Sequence, residues 1–190
     1  KVAVVTNAKD YKTPQEREVK VKELLEYLSD LGLRTTEVDL RKYFSNHAAL
    51  EKTLKKYQAI WLAGGNVFLL RRALKQSGLD KILYDKVRKN ELIYGGESAG
   101  AIVAGPTLKF SEMEGDEDDP QYIAEGYDSK VLWDGLNFVN YVPVPHYLDS
   151  DYGADIDEYI ERLNNAGIAH KNMTNAQAII INGDKEEFLK

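Results

Sequence analysis

Residues Gly96–Gly100 read Gly-Glu-Ser-Ala-Gly and match the pattern G-x-S-x-G, which presents a serine nucleophile on a sharp turn between a strand and a helix. The apolar run Leu92–Tyr94 precedes the motif and small residues follow it, so the required strand-to-helix context is predicted as well. Glycine on both sides avoids the Cβ clashes of so tight a turn. The free N–H of Ala99 would point toward an oxyanion from the start of the helix. The motif predicts Ser98 as the nucleophile of an acyl transfer. A turn that only packs a helix against a sheet is the structural alternative.

A second pair of glycines, Gly64 and Gly65, follows the apolar run Ala59–Ala63. Ligands of a parallel sheet bind outside the carboxyl ends of its strands, and glycines there let backbone N–H groups approach a substrate carbonyl. Together with Ala99, these glycines predict a two-donor oxyanion hole. Asn66 comes next and predicts the N-cap of the following helix. The two interpretations are compatible.

An attacking hydroxyl needs a base, and the sequence offers three histidines. His47 lies in a polar segment before a predicted helix, and His170 lies between the last predicted helix and strand, so both are predicted at the surface. His146 ends the apolar stretch Val142–Pro145, whose prolines restrict the backbone just before the imidazole. We therefore expect His146 to be the base. A core histidine with satisfied ring nitrogens is the structural alternative.

The elements that must position these residues follow from the hydrophobic pattern. Apolar runs typical of buried strands alternate with segments whose apolar residues recur at helical spacing. Strands are predicted at 2–6, 34–40, 59–63, 92–96 and 178–181, and helices at 14–31, 48–56, 67–77, 82–87 and 156–163. This order predicts an α/β fold, a three-layer sandwich with a mostly parallel flavodoxin-like sheet and helices on both faces. Region 127–147 is rich in β-formers, but its pattern does not distinguish a further strand of the main sheet from a separate hairpin.

Composition narrows the class of protein. A length of 190 residues predicts one domain over 1–190. The balance of 25 basic against 31 acidic residues, a net charge of −6, argues against a nucleic-acid partner. The sequence contains no cysteine and no helical pair of histidines, so we expect neither a metal nor a cofactor. No apolar run approaches the roughly 20 residues of a membrane span, and the N-terminus does not read as a signal peptide. We therefore expect a cytoplasmic protein with no membrane partner.

Three segments, Gly64–Asn66, Gly96–Ala101 and Pro145–Tyr147, together resemble the peptidase E family of serine peptidases. That family includes aspartyl dipeptidases and cyanophycinases and belongs to the class I glutamine-amidotransferase-like superfamily. The resemblance runs from about residue 59 to residue 146. It implies a serine peptidase that hydrolyses small peptides through an acyl-enzyme, with Ser98 as nucleophile, His146 as base and the same backbone groups as oxyanion hole.

The resemblance also implies an acid that orients the histidine, in the loop after the nucleophile. A gapless count places Met113 at that position, and a methionine cannot serve. Glu112 or Glu114 is therefore predicted to take the role, with Asp116 as a third option. A glutamate is acceptable because the acid only holds the imidazole tautomer and stabilises its cation.

Specificity is the feature in which the sequence departs from the family. Family members that cleave after an N-terminal aspartate carry an arginine shortly after the histidine, whereas residues 147–161 contain neither arginine nor lysine. An aspartyl preference is therefore not expected. Glu97 and Asn66 are predicted at the substrate pocket, where Glu97 either binds a substrate ammonium or basic side chain, or caps a backbone amide.

A non-catalytic peptide-binding protein that has lost the triad acid is the alternative function. The sequence is also compatible with a homodimer.

Overall fold

The main sheet has four parallel strands, whose carboxyl ends lie along one edge. The computed structural model describes residues 1–112 and 119–190. The strands of this sheet are β1 (Val2–Val5), β2 (Thr35–Glu37), β3 (Ala59–Leu62) and β4 (Ile93–Gly96). They lie in the order β2-β1-β3-β4, and every neighbouring pair is parallel. Since parallel neighbours need crossover connections, helices must pack on the faces of the sheet.

Helices cover both faces of this sheet. Val2 and Val4 of β1 pack against Leu24 and Leu28 of α1 (Pro14–Asp30). Alternate residues of the same strand point to the opposite face, because the side-chain period of a strand is two. That face carries the larger apolar cluster and packs against α2 (His47–Leu54), α3 (Val67–Ser77), α4 (Leu79–Arg88) and α5 (Ala99–Ile102). The predicted three-layer α/β sandwich is confirmed.

Local sequence signals define the ends of α1 and α3. The Thr13 hydroxyl accepts a hydrogen bond from the Glu16 backbone N–H at 3.4 Å, and the Glu16 carboxylate accepts one from the Thr13 N–H at 3.1 Å. This reciprocal pair is a capping box. The side chain of Asn66 accepts a hydrogen bond from the Leu69 N–H at 2.8 Å, and α3 ends at Gly78 with a φ of 74°. The predicted starts of both helices are confirmed.

Strand β2 is shorter than the predicted strand 34–40, because Asp39 begins a 3-10 turn, Leu40–Tyr43. The Asp39 carboxylate accepts a hydrogen bond from the Arg41 backbone N–H at 3.0 Å and from its guanidinium at 2.7 Å. Burial acts to raise the pKa of Asp39, but the hydrogen bonds and charge of Arg41 outweigh it and lower the pKa to about 2. The ionised Asp39 carboxylate therefore stabilises the turn that follows β2, and the strand ends before it.

A second 3-10 turn, Asn7–Lys9, follows β1 and is anchored by buried polar groups. The Asn7 side-chain amide donates a hydrogen bond to Asp10 at 2.8 Å. The same carboxylate accepts hydrogen bonds from Arg17 at 2.5 Å and from the Tyr127 hydroxyl at 2.5 Å. Burial and the charge of Asp10 raise the pKa of Tyr127, which keeps its hydroxyl a donor. Buried, satisfied polar networks of this kind hold one conformation, so the turn is fixed in place.

The second part of the chain forms a smaller sheet instead of extending the main one. Strand β5 (Val142–Val144) pairs in parallel with β6 (His170–Asn172), and α6 (Gly153–Asn165) packs on β5. Strands β7 (Ala178–Asn182) and β8 (Lys185–Leu189) form an antiparallel hairpin. The strand predicted near the C-terminus is therefore confirmed, whereas β6 and β8 were not predicted.

Most of the region 127–147 is irregular, so neither of the two predicted options is correct. Backbone hydrogen bonds tie it to the segment after α5, from Leu108 N to the Trp133 carbonyl at 2.8 Å and from Leu136 N to the Val103 carbonyl at 2.7 Å. Outside β5, its β-forming residues pack as individual side chains and not as a strand. No helix in the described ranges 1–112 and 119–190 is both long enough and apolar enough to span a bilayer.

Helix α5 lies directly against the ends of β3 and β4 because two glycines carry no side chain. A Cβ on Gly100 would lie 2.1 Å from the carbonyl oxygen of Leu62, and a Cβ on Gly96 would lie 2.5 Å from the carbonyl of Gly100. Both distances are far below van der Waals contact. Glycine at these two positions is therefore a packing requirement of the turn between β4 and α5.

We expect Gly100→Ala to destabilise the protein by about 1–3 kcal/mol or more, because the added methyl group must displace backbone. Gly153→Ala is the matched control, since a Cβ there meets no atom within 4 Å and the residue begins a helix. That substitution is expected to be neutral or to stabilise by up to about 1 kcal/mol. Urea unfolding followed by circular dichroism measures both effects. Equal midpoints for the two variants would contradict the packing requirement.

Candidate active site

Ser98 occupies a strained turn between β4 and α5. Its φ is 48° and its ψ is −116°, a backbone conformation that non-glycine residues rarely adopt. The turn is closed by hydrogen bonds from Gly100 N to the Glu97 carbonyl and from Ala101 N to the Ser98 carbonyl, both at 2.8 Å. Ser98 is half-buried, and within the described residues its hydroxyl has no hydrogen-bond partner. The hydroxyl is thus available at the surface of the turn.

The Gly64–Gly65 turn lies directly beside Ser98. A Cβ on Gly64 would lie 3.0 Å from the Ser98 Cβ and 3.5 Å from its Oγ. Gly65 has a φ of 132° and packs so closely on the preceding 3-10 turn that a Cβ would lie 2.4 Å from the Ala8 carbonyl oxygen. Only glycine fits such a conformation and such an approach.

Two backbone N–H groups border the serine and remain available. They belong to Gly65, in the glycine turn, and to Ala99, the first residue of α5. In the part of the chain that the structure describes, neither group donates a hydrogen bond to a protein acceptor. The first N–H groups of a helix have no intrahelical partner, which explains the free amide of Ala99. Backbone N–H groups are the donors from which oxyanion holes are commonly built.

The two residues predicted at the substrate pocket both bind backbone groups of the protein. Asn66 is fully buried, and its side chain caps α3 and donates a hydrogen bond to the Asp119 carbonyl at 3.2 Å. The Glu97 carboxylate accepts a long hydrogen bond from the Gly64 N–H at 3.5 Å. Glu97 is half-buried and directly precedes Ser98. Its hydrogen bond with the Gly64 N–H therefore links the serine turn to the glycine turn.

His146 lies two residues after β5, at a φ of 63°. Met173, the residue after β6, holds this segment, because its carbonyl accepts a hydrogen bond from the Tyr147 N–H at 3.0 Å. The imidazole ring stacks on Tyr152, with 4.6 Å between ring centroids and 27° between ring planes. The His146 Nδ1 lies 2.9 Å from the Oδ1 of Asn175. Backbone pairing, stacking and one hydrogen bond therefore hold the ring.

Asn175 connects His146 to a carboxylate. Its Nδ2 donates a hydrogen bond to Asp149, whose own backbone N–H donates to the His146 carbonyl at 3.0 Å. A carboxylate only accepts hydrogen bonds, so the amide nitrogen of Asn175 must face Asp149 and its oxygen must face the ring. The Nδ1 of His146 is then the protonated nitrogen, and Nε2 keeps its lone pair. This tautomer is the one that a general base requires.

The structure brings Ser98 and His146 to adjoining elements but does not join them by a hydrogen bond. Helix α5, which Ser98 begins, packs against β5, which His146 follows. Among the described residues, no hydrogen bond connects the Ser98 hydroxyl to the imidazole. Catalytic hydrogen bonds are often long in the absence of substrate and shorten in the substrate complex.

Glu112 is the one predicted orienting acid within the described residues, because Glu114 and Asp116 lie outside them. One of the Glu112 carboxylate oxygens and the hydroxyl of Tyr159 are both buried, and neither has a hydrogen-bond partner within residues 1–112 and 119–190. Burial raises the pKa of Tyr159 on α6, and the charge of Glu112 raises it further. Among the described residues, Glu112 has no hydrogen bond to His146.

The other two histidines are engaged elsewhere. The His47 ring bonds the Gln76 carbonyl at 2.9 Å, and the His170 ring bonds the Ile168 carbonyl at 3.1 Å. The described ranges also hold no group of three or more acidic or histidine side chains arranged to bind a metal. Asn175 is the residue that sequence reasoning missed. It lies 29 positions from His146, in an exposed turn after β6, and no local pattern connects the two.

Comparison with known proteins shows which proteins this chain is similar to. The chain matches the model of peptidase family S51 over residues 7–189. It is 33 % identical over 120 residues to an uncharacterized peptidase of Listeria innocua, a match that covers 63 % of this chain and 53 % of that protein. It is 34 % identical over 101 residues to peptidase E of Streptomyces coelicolor, covering 53 % of this chain and 37 % of that protein. A crystal structure of a candidate peptidase E protein from Listeria monocytogenes EGD-e is similar with a TM-score of 0.76 at 24 % identity, covering 98 % of this chain and 84 % of that one.

These comparisons differ in what they show. The structural likeness, at 24 % identity, shows the fold. The matched segments span about half or less of the length of the two relatives, 53 % and 37 %. The family model, in contrast, covers nearly the whole chain, including the glycine turn, the serine turn and the histidine. The chain therefore belongs to peptidase family S51.

Proposed function

We propose that the protein is a serine peptidase that hydrolyses small peptides through an acyl-enzyme. The observation that carries this proposal is the backbone of Ser98, held at a φ of 48° with its hydroxyl beside the Gly64–Gly65 turn. In acylation, Ser98 Oγ forms a bond to the substrate carbonyl carbon while its proton passes to His146. The C–N bond then breaks, and His146 gives the proton to the leaving amine. Water, deprotonated by His146, then attacks the ester carbon, the bond from that carbon to Ser98 Oγ breaks, and His146 returns the proton to Oγ.

The hydrogen-bond chain behind His146 supports its role as the base. The Asn175 side-chain oxygen accepts a hydrogen bond from the Nδ1–H of His146, and its amide nitrogen donates one to Asp149. The ring therefore keeps one tautomer and one orientation. An asparagine serves the same purpose in the Cys-His-Asn arrangement of other peptidases. Asn175 is therefore proposed as a positioning residue, with Asp149 as its anchor.

The backbone amides of Gly65 and Ala99 are proposed to bind the oxyanion of the tetrahedral intermediate. Both flank Ser98 and both are free of protein acceptors within the described residues. Donors fixed before the reaction stabilise developing charge without reorganisation, and one such donor typically contributes about 10²–10³ in rate.

The acid of the triad stays a prediction. Glu114 and Asp116 lie outside the described residues, and within those residues Glu112 has no hydrogen bond to His146. The contacts of the described residues favour Asn175 over Glu112 as the direct partner of His146.

The alternative is a peptide-binding protein of the same fold without catalysis. Two observations favour it: the direct partner of the His146 Nδ1 is an amide, and within the described residues Ser98 and His146 share no hydrogen bond. Such a protein would bind peptides at the glycine turn without forming an acyl-enzyme. Labelling of the serine separates the two functions.

We expect a fluorophosphonate probe to label the protein at Ser98, because only an activated hydroxyl attacks the phosphorus. Ser98→Ala should abolish labelling and lower peptide hydrolysis by about 10⁴–10⁶, since triad members act as a unit. Ser150→Ala, which removes an exposed serine four residues after His146, is the control and should retain both. Labelling that persists in Ser98→Ala would refute the assignment of Ser98 as the nucleophile. A wild-type protein that is not labelled would favour the peptide-binding function without catalysis.

Asn175→Ala should lower kcat by about 10- to 100-fold with KM within about twofold, because a misoriented imidazole slows proton transfer but not binding. Asn175→Asp keeps an oxygen acceptor for the Nδ1 proton and should retain more activity than the alanine variant. Asn140→Ala, at an exposed loop position, is the control. Steady-state kinetics on a peptide substrate decide the matter, and an unchanged kcat in Asn175→Ala would exclude the positioning role.

Peptides with an N-terminal aspartate should not be strongly preferred. Residues 147–161, which follow His146, contain acids and tyrosines but neither arginine nor lysine, and Asp149 is already bound by Asn175. Without a guanidinium to bind it at two points, the carboxylate of a substrate aspartate adds little binding free energy. The kcat/KM for the aspartyl substrate should therefore lie within about tenfold of the values for the other substrates. A panel of aminoacyl p-nitroanilides tests this, and a dominant rate on the aspartyl compound would contradict it.

A further inference from the structure

Lys9 is a cationic side chain that contacts the glycine turn and that the mechanism above does not use. Its ammonium donates a hydrogen bond to the carbonyl oxygen of Gly64 at 2.9 Å. Lys9 is half-buried and ends the 3-10 turn Asn7–Lys9, which the buried network around Asp10 anchors. The contact therefore joins a fixed part of the scaffold to the loop beside Ser98.

The accepting carbonyl belongs to the same peptide group as the N–H of Gly65. A peptide group is planar and trans, so its C=O and N–H bonds point in opposite directions. Fixing the direction of the Gly64 carbonyl therefore fixes the direction of the Gly65 N–H. A hydrogen bond from a cation to that carbonyl also polarises the group and makes its N–H a stronger donor.

The next peptide group is held by the same turn. The Asn66 N–H donates a hydrogen bond to the Ala8 carbonyl at 2.8 Å, and the Cα of Gly65 packs against that carbonyl. Both peptide groups that flank Gly65 are thus bound by the Asn7–Lys9 turn. A glycine at a φ of 132° has wide conformational freedom, so these two bonds are what restrict it.

We propose that Lys9 is a positioning residue that aims and strengthens the Gly65 N–H of the oxyanion hole. The inference rests on the proposed serine-peptidase function, and it assigns Lys9 a task in the transition state rather than in substrate binding. The oxyanion exists only in the tetrahedral intermediate and not in the bound substrate. Loss of the Lys9 contact should therefore act on kcat and leave KM nearly unchanged.

The test is steady-state peptide hydrolysis by Lys9→Met, which keeps the length of the side chain and removes its donors. We expect kcat to fall by about 10- to 100-fold and KM to change by less than about twofold. Lys9→Arg restores a cationic donor and should recover part of the lost kcat. Lys42→Met, on the exposed side of the neighbouring 3-10 turn, is the matched control and should behave as wild type.

A second measurement does not depend on turnover. In a ¹⁵N-labelled protein, the amide resonance of Gly65 should shift in Lys9→Met, because the Gly64 carbonyl of the same peptide group loses its hydrogen bond from the ammonium. The resonance should not move in Lys42→Met. Thermal unfolding of each variant confirms that it is folded. If the wild type neither hydrolyses peptides nor reacts with a fluorophosphonate, the proposed function fails, while the amide resonance still tests the contact.

The proposal would be overturned by three results. The first is an unmoved Gly65 resonance in folded Lys9→Met. The second is a rise in KM with kcat unchanged, which would make Lys9 a substrate-binding residue. The third is an equal loss of kcat in Lys42→Met, which would assign the effect to net charge.

Discussion

The close approach of backbone to backbone at the ends of β3 and β4 is the constraint on which the rest of the site depends. Without a side chain on Gly100, the start of α5 lies against the carbonyl of Leu62, and Gly96 leaves room for the Gly100 carbonyl. The chain must reverse within these few residues, and Ser98 takes the strained φ of 48°. Strain of this kind persists only where the surrounding structure determines the backbone fully. That turn positions the Ser98 hydroxyl and the Ala99 amide, neither of which has a hydrogen-bond partner among the described residues.

The two halves of the site are held by different means. The serine, the glycine turn and both proposed oxyanion donors lie at the carboxyl edge of the main sheet, where buried apolar residues and the polar network after β1 fix the backbone. The histidine lies on the smaller β5–β6 sheet, and its ring is oriented by Asn175, which is itself exposed. The relative position of the two halves rests on the packing of α5 against β5. Hydrolysis would require that packing to bring the imidazole within reach of the hydroxyl.

Predictions that depend on local chemistry agreed with the structure, and those that depend on distant partners did not. The capping box of α1, the Asn66 cap of α3 and the apolar runs of β1, β3 and β4 are each encoded within a few consecutive residues. Strand β2 is the exception, because it ended early through a local contact in which Arg41 binds Asp39 and forms a turn. The β-forming residues before β5 became irregular because their backbone groups bond the segment after α5. The β-propensity of a residue does not depend on which distant groups its backbone will bond, so it could not exclude a strand there.

The sequence by itself determined the sheet, the turn that carries Ser98 and the glycines that must surround it. These features follow from steric limits on φ, from the absence of a Cβ and from hydrophobic periodicity, all of which are properties of neighbouring residues. Only the tertiary structure decided which groups face the serine and the imidazole: Lys9 at the Gly64 carbonyl, 55 residues away, and Asn175 at His146, 29 residues away. A hydrogen bond acts over about 3 Å in space, and its partners can lie at any separation along the chain.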